Sequence, residues 1–289
     1  MRKRKYILGV LAIASLALTT VLASQPRTVE AKSNKQETIT VVTGGEPRPF
    51  TFEENGKLKG HNIELVKAVF KKLPQYKLKI VRTDFKAIFP GLSSGRYQVA
   101  VNNLAKNEER EKNYLFTDPI FKNSYVVIFN KDSKIAKKAQ SWSDLAGLST
   151  VGSPGVNSTT AIEDYNKTNP DKTITLNYSA EDLKAQLEGV ESGKYDFLVM
   201  DKPMFEYYQK EYKLNLVGKN VSGDLEKQLL PEPYSYFVLA KDDTKLAKEI
   251  NKALKEVVKD GTSKKINEKY FDQDYSPSYD DQSANSTLR

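Results

Sequence analysis

Arg110 closes the run Asn107-Glu108-Glu109-Arg110, shortly after an apolar stretch. A guanidinium offers two parallel donors matched to a carboxylate, and burial strengthens that pairing. The flanking Glu108, Glu109, Glu111 and Lys112 fit a solvated helix face equally well. Asp201 ends the apolar run 195–200 and precedes Pro203. A carboxylate at the C-terminal end of a parallel strand faces a ligand crevice and could meet an ammonium there. It is also a good N-cap for a helix beginning at Pro203. Gly155-Val156-Asn157-Ser158-Thr159-Thr160 lies between a predicted strand and a predicted helix. Its backbone amides could hold an anion, or Asn157 or Ser158 could simply cap the helix. Asn102 and Asn103 end another apolar run, where adjacent amides suggest hydrogen bonds to a ligand or a hinge.

What is missing excludes as much. The 289 residues contain no cysteine, so disulfides, thiolate catalysis, Cys-ligated zinc and a thiol-linked lipid anchor are ruled out. His61 is the sole histidine, which excludes sites needing two and leaves one candidate for any Ser-His-Asp triad. Catalysis is disfavoured, and no catalytic residue, metal or cofactor is expected. His61 itself reads as a surface or partly buried residue at a helix start.

The elements that must position these residues alternate. Strand character at 38–43, helix at 62–73, strand at 77–82, helix at 85–92 and strand at 97–101 imply βαβ units and a mostly parallel sheet. Segment 124–130 is a β-branched and aromatic run with no helix immediately before it. A second series then follows: strands at 149–152, 173–178, 195–200 and 214–217, with helices at 158–166, 180–191 and 203–212. Ser179 with Asp182 three residues on supplies a capping signal for the second of those helices. Another extended run spans 234–240, before helices at 243–259 and 262–270 separated by Gly261. The expected architecture is α/β with two lobes. Lobe 1 takes 38–123 and 235–273, lobe 2 takes 131–228, and 124–130 and 229–234 form the hinge. Residues 274–289 read as a disordered tail. The hinge places a small-molecule cleft between the lobes.

Arg2, Lys3, Arg4 and Lys5 precede an apolar run at 6–23, and Val29-Glu30-Ala31 follows. This is the layout of a secretory signal spanning 1–31, with Ala23 as a second possible cleavage point and an uncleaved anchor as the competing reading. Cleavage after Ala31 removes five Lys/Arg and one Glu, lowering the net charge from +8 to +4. That is too little to argue for nucleic acid, though it favours loose electrostatic association with an anionic envelope.

Several of these stretches, read in order, resemble the polar amino-acid-binding proteins of ABC importers. Pro49-Phe50-Thr51-Phe52 and Gly60-His61-Asn62-Ile63-Glu64-Leu65 open the pattern. Leu92-Ser93-Ser94-Gly95-Arg96-Tyr97, Asn107-Glu108-Glu109-Arg110 and Phe116-Thr117-Asp118-Pro119-Ile120-Phe121 continue it. Tyr195-Asp196-Phe197-Leu198-Val199-Met200-Asp201 and Lys269-Tyr270-Phe271 close it. The likeness runs over about 38–273. It implies a two-lobed, periplasmic-binding-protein-like (type 2) fold with two crossing hinge strands. By the same resemblance Arg110 clamps a ligand α-carboxylate, Asp201 meets its ammonium, and Phe85 packs on it unless it is a core aromatic. The turn at Asn157 and Ser158 adds hydrogen bonds. The asparagine pair Asn102-Asn103 resembles cystine-binding members.

Some relatives carry an acidic residue at Gly44, an aromatic near Pro47 and a hydroxyl at Ala105. The resemblance therefore implies α-amino contacts resting more on Asp201 and a side-chain end that is roomier or less polar than in glutamine-type relatives. The implied function is an exported receptor, periplasmic or at the cell surface, that captures a polar L-amino acid, cystine first. It would act as a monomer and deliver its ligand to a membrane permease. A dehydratase or lyase on the same scaffold and a surface adhesin are the alternatives.

Overall fold

The computed structural model describes residues 36–137, 141–229 and 232–278; the segment expected as a secretory signal lies outside them. The chain opens with β1 (Glu37–Thr43), the hairpin β2 (Phe52–Glu54) and β3 (Lys57–Lys59), and α1 (His61–Lys71). It continues through β4 (Tyr76–Arg82), α2 (Phe85–Ser93), β5 (Val99–Leu104), α3 (Glu108–Asn113), β6 (Tyr114–Phe116) and β7 (Phe121–Lys122). A second series runs β8 (Tyr125–Asn130), β9 (Ser149–Gly152), α4 (Asn157–Thr168), β10 (Thr175–Tyr178), α5 (Leu183–Glu191) and β11 (Phe197–Asp201). It ends with α6 (Lys202–Tyr212), β12 (Leu216–Asn220) and α7 (Gly223–Leu229). The chain then returns through β13 (Tyr234–Ala240), α8 (Thr244–Lys259) and α9 (Thr262–Phe271).

Two sheets result. The first has the order β4-β1-β5-β13-β6, with β13 also pairing β7; the second has the order β10-β9-β11-β8-β12. In each, three parallel strands carry crossover helices and a long antiparallel strand, β13 or β8, is inserted. The two inserted strands mark where the chain passes between sheets. The core follows the apolar stripes. Ile63, Val66 and Phe70 of α1 and Leu246, Ile250, Ala253, Leu254 and Val257 of α8 are all buried in one cluster.

The Pro-Phe motif gains a structural reason here. The Pro49 and Phe50 carbonyls accept the first amides of α1, from His61 at 3.0 Å and Asn62 at 2.9 Å. These bonds satisfy donors a helix start leaves open. Gly60, with φ +119°, must be glycine: a Cβ there would lie 2.4 Å from the Phe50 carbonyl oxygen.

Four expectations change. Segment 124–130, expected as a hinge of crossing strand, carries β8, and Tyr125–Asn130 pairs on both edges, with β11 and with β12. The passage falls just before it, where the Asn123 amide donates to the Pro233 carbonyl at 2.8 Å and ties the two crossings together. The helix expected from 180 begins at Leu183, since Asp182 is itself the N-cap and accepts from the Ala185 amide at 2.8 Å. Of the tail expected to be loose over 274–289, the described residues 274–278 pack through Tyr275 and the buried Pro277, and 279–289 lie outside the described residues. Tyr275 stacks on Phe121 at 4.9 Å, and its carbonyl accepts from the Lys122 amide at 2.8 Å. His61 is fully buried, not at the surface, because the rings of Phe50, Phe121 and Phe271 enclose it at 5.2–5.9 Å.

Candidate functional site

The strand ends of both sheets converge on a cavity of about 220 Å³. All seven residues singled out in the sequence line it: Phe85, Asn102, Asn103, Arg110, Asn157, Ser158 and Asp201. They come from five stretches of chain and from both sheets.

Arg110 sits in the first turn of α3, whose cap Asn107 accepts its backbone amide at 2.9 Å. The side chain is buried, not solvated. Nη1 donates to the Ala105 carbonyl at 2.8 Å, and Nη2 reaches the Gly155 carbonyl at 2.9 Å in the turn before α4. The guanidinium also lies over Phe89, 4.7 Å from the ring centre. Burial pulls its pKa from 12.5 down to about 10, so it remains a cation at neutral pH. An arginine has five N–H donors, and these two bonds leave others for a ligand.

Asp201 caps a helix and also lines the cavity. One carboxylate oxygen, Oδ1, caps α6 by accepting from the Met204 amide at 3.2 Å. The other, Oδ2, is buried without a hydrogen-bond partner. Burial raises the carboxyl from 3.8 to about 8, and the Met204 amide only partly opposes it. The empty cleft therefore holds a mostly neutral acid that an arriving ammonium would ionise.

The asparagines divide their work. Asn102 Oδ1 accepts three bonds, from Thr43 Oγ1 at 2.9 Å, the Gly44 amide at 2.9 Å and Thr51 Oγ1 at 3.2 Å. It brackets the rim of the site, leaving only its NH2 group for a ligand. Asn103 holds a left-handed backbone, φ 51°, with its amide donating to Asn62 Oδ1 at 2.8 Å. Its own Oδ1 is buried and unpartnered. Asn157 does not cap α4; Val156 occupies that place with no side-chain bond, and Asn157 Nδ2 donates to the Leu229 carbonyl at 2.7 Å. The first amides of α4 thus lack a side-chain cap beside the cavity, an arrangement that favours an anion. Ser158 is buried next to them. Phe85 packs partly against the core and turns its ring toward Gly155.

Sequence reasoning missed Tyr125, which lines the cavity directly across the ladder from Asp201. Desolvation and the nearby Asp201 push its phenol above the usual range, while Arg110 opposes them. Nothing local marked it, because its pairing with Asp201 exists only in the folded sheet. Gln186, Met204 and Thr159 were missed for the same reason. Thr159 Oγ1 is buried without a partner. Among the described residues no group of His, Asp and Glu is clustered to hold a metal, and no helix is long and apolar enough to cross a membrane.

Comparison with known proteins agrees with this layout. The sequence profile of the bacterial extracellular solute-binding proteins, family 3, matches residues 39–273. The L-cystine-binding protein TcyJ of Bacillus subtilis is 29% identical over 280 residues, covering 96% of this chain and 98% of the relative. A solved structure from work on glutathione import in Gram-positive bacteria, via GshT and the cystine ABC importer TcyBC of Streptococcus mutans, is 36% identical. It covers 85% of this chain and 99% of its own, with a TM-score of 0.77. The ancestral amino acid-binding protein AncCDT-1, a precursor of cyclohexadienyl dehydratase, is 28% identical, covers 82% and 96%, and has a TM-score of 0.66.

Proposed function

The chain belongs to family 3 of the bacterial extracellular solute-binding proteins, and from that premise we propose that it captures a polar L-amino acid, L-cystine first, for the permease of an ABC importer. The observation that carries this reading is the pairing of a buried cation with a bare buried carboxylate oxygen across one cavity. Arg110 takes the α-carboxylate and the uncapped turn at Asn157 and Ser158 assists it. Asp201 takes the α-ammonium, which supplies the missing partner of Oδ2. Ligand contacts made from both sheets favour the closed arrangement of the lobes over the open one.

No covalent step is assigned. The dehydratase alternative needs an acid–base pair; Asp201 is committed to a helix cap and an ammonium, and burial pushes the neighbouring Tyr125 phenol above its usual range. No observation favours the adhesin. Glutathione is a second reading, favoured by the structure from the Streptococcus mutans work; it too carries an α-amino-carboxylate head. The protein works as a monomer outside the cytoplasmic membrane.

The test is a thermal-shift and calorimetric screen of ligand-free protein against the common amino acids, L-cystine and glutathione. A ligand at 100 times its Kd adds about 2.7 kcal/mol of stability, a shift of a few degrees. A response to L-cystine supports the reading, and a response to glutathione alone moves the assignment to the tripeptide. Silence across the panel, or turnover of the bound ligand, overturns it.

A further inference from the structure

Next to the cleft cavity lies a second one of about 280 Å³, an annex walled by loops of the first sheet and by α5 and α6 over the second. Glu46 lines both cavities. Gly44 marks their border. Its amide donates to Asn102 Oδ1 on the cleft side at 2.9 Å, and its carbonyl accepts from Arg82 Nε on the annex side at 3.3 Å. A Cβ at Gly44 would sit 3.3 Å from Asn102 Oδ1 and 3.7 Å from Phe85 Cβ, both in the cleft wall. The missing side chain leaves that part of the cleft wall bare.

Six charged side chains surround the annex: Glu46, Arg48, Glu53, Arg82, Asp182 and Lys184. Four are already engaged. Arg82 bonds Glu53 at 3.0 Å, Lys184 pairs with Glu188, and Asp182 caps α5. Arg48 and Glu46 make no hydrogen bond through their charged groups and no ion pair among the described residues. Arg48 rests on the Phe52 ring, 4.1 Å from its centre, and its charge also reaches Glu54, which Lys59 already bonds. An unengaged cation and an unengaged anion at one end of a cavity match an amino-carboxylate head, just as Arg110 and Asp201 do at the other end.

We propose that the annex binds the far head of a double-headed amino acid, Arg48 taking its carboxylate and Glu46 its ammonium. The inference deepens the amino-acid reading and rests on it. A compact amino acid fills the cleft alone, whereas a ligand with a second carboxylate at the end of its side chain extends past Glu46, which both cavities share, into the annex. L-cystine offers a carboxylate and an ammonium there. Glutathione offers a carboxylate only.

Calorimetric titration of the full chain with L-cystine, glutathione and the single-headed S-methyl-L-cysteine tests this. Arg48→Met keeps the apolar contact over Phe52 and removes the charge. It should weaken L-cystine and glutathione about tenfold or more and leave S-methyl-L-cysteine within about twofold. Glu46→Gln should weaken L-cystine alone. If both variants bind L-cystine as the parent does, or if all three ligands weaken equally, the annex is not a subsite. If the parent protein binds none of the three, this inference falls, while the amino-acid reading falls only if the wider amino-acid panel is silent as well.

Discussion

Two regions of this molecule bury an ionisable group away from water, and burial shifts the two in opposite directions. In the cleft, the carboxyl of Asp201 is raised to about 8. In the aromatic nest around α1, the imidazole of His61 is lowered to about 3, with Asn267 only partly opposing the burial. Both shifts have one cause, the penalty on the charged form in a poorly solvated place. The surroundings differ. Asp201 opens on a cavity that also holds Arg110 and Tyr125, whereas His61 is closed in by Phe50, Phe121 and Phe271. A perturbed ionisation marks a binding site only where a cavity and a complementary charge accompany it. In the nest it is a cost of packing.

The sharpest way to break that contrast is Arg110→Ala. Truncating one partner of a buried, hydrogen-bonded charge contact costs about 2–5 kcal/mol, so amino-acid affinity should fall roughly 100-fold or more. The melting temperature should move little, because the Ala105 and Gly155 carbonyls it served face a cavity that water can enter. Calorimetry and a thermal melt on one preparation check both halves. Parental affinity in this variant would show that the cleft charge is structural after all.

Asp201→Asn comes next, with an affinity loss of about 10–100-fold. The carboxyl must ionise to receive an ammonium. Parental affinity should therefore fall about tenfold for each pH unit below 8 and level off above it. Binding near pH 7 should release close to one proton, read as an enthalpy that varies with the ionisation heat of the buffer. Stability of the empty protein runs the other way. The folded pKa lies above the unfolded 3.8, so the native state holds the extra proton between 3.8 and about 8 and loses stability as pH rises through that window. Asn keeps the cap on Met204 without that slope. A variant that binds worse yet melts higher at pH 8 is the expected signature.

The smallest effect belongs to the nest. His61 has a folded pKa below its unfolded 6.5, so its contribution is complete above 6.5 and is lost as pH falls from there toward about 3. The slope is at most about 1.4 kcal/mol per pH unit. His61→Phe should flatten that part of the acid denaturation curve while leaving ligand affinity unchanged. A change in affinity would mean that nest and cleft are coupled, through Asn62 and its bond to the Asn103 amide.

Much of this was legible before any coordinates. The strands at 77–82 and 149–152 and the stripe of α8 carry their own periodicity, so they fell within a residue or two of the structure. The charged helix α3 and short strands such as β6 and β7 are weaker signals, because a few residues cannot display a period. Arg110 was marked by the family resemblance and Asp201 by its strand-end position together with that resemblance, and both line the cavity. Tyr125 did not, since only its register opposite Asp201 gives it meaning. Segment 124–130 reads as a crossing strand, and six of its residues form β8 within the second sheet. A β-branched run reads the same whether it crosses between sheets or pairs inside one.

What the sequence determined by itself was the kind and order of elements, the two α/β series, and a short roster of side chains able to hold a carboxylate and an ammonium. Local spacing suffices for these because helix and strand periods, caps and turns are written within a few residues of one another. The tertiary structure alone decided the environment of each side chain. It carried Arg110 to the Gly155 carbonyl across 45 positions of chain, left one oxygen of Asp201 bare, and sealed His61 behind three rings. Burial and electrostatics depend on every atom that approaches a group, however far apart in the chain, and no local pattern contains that sum.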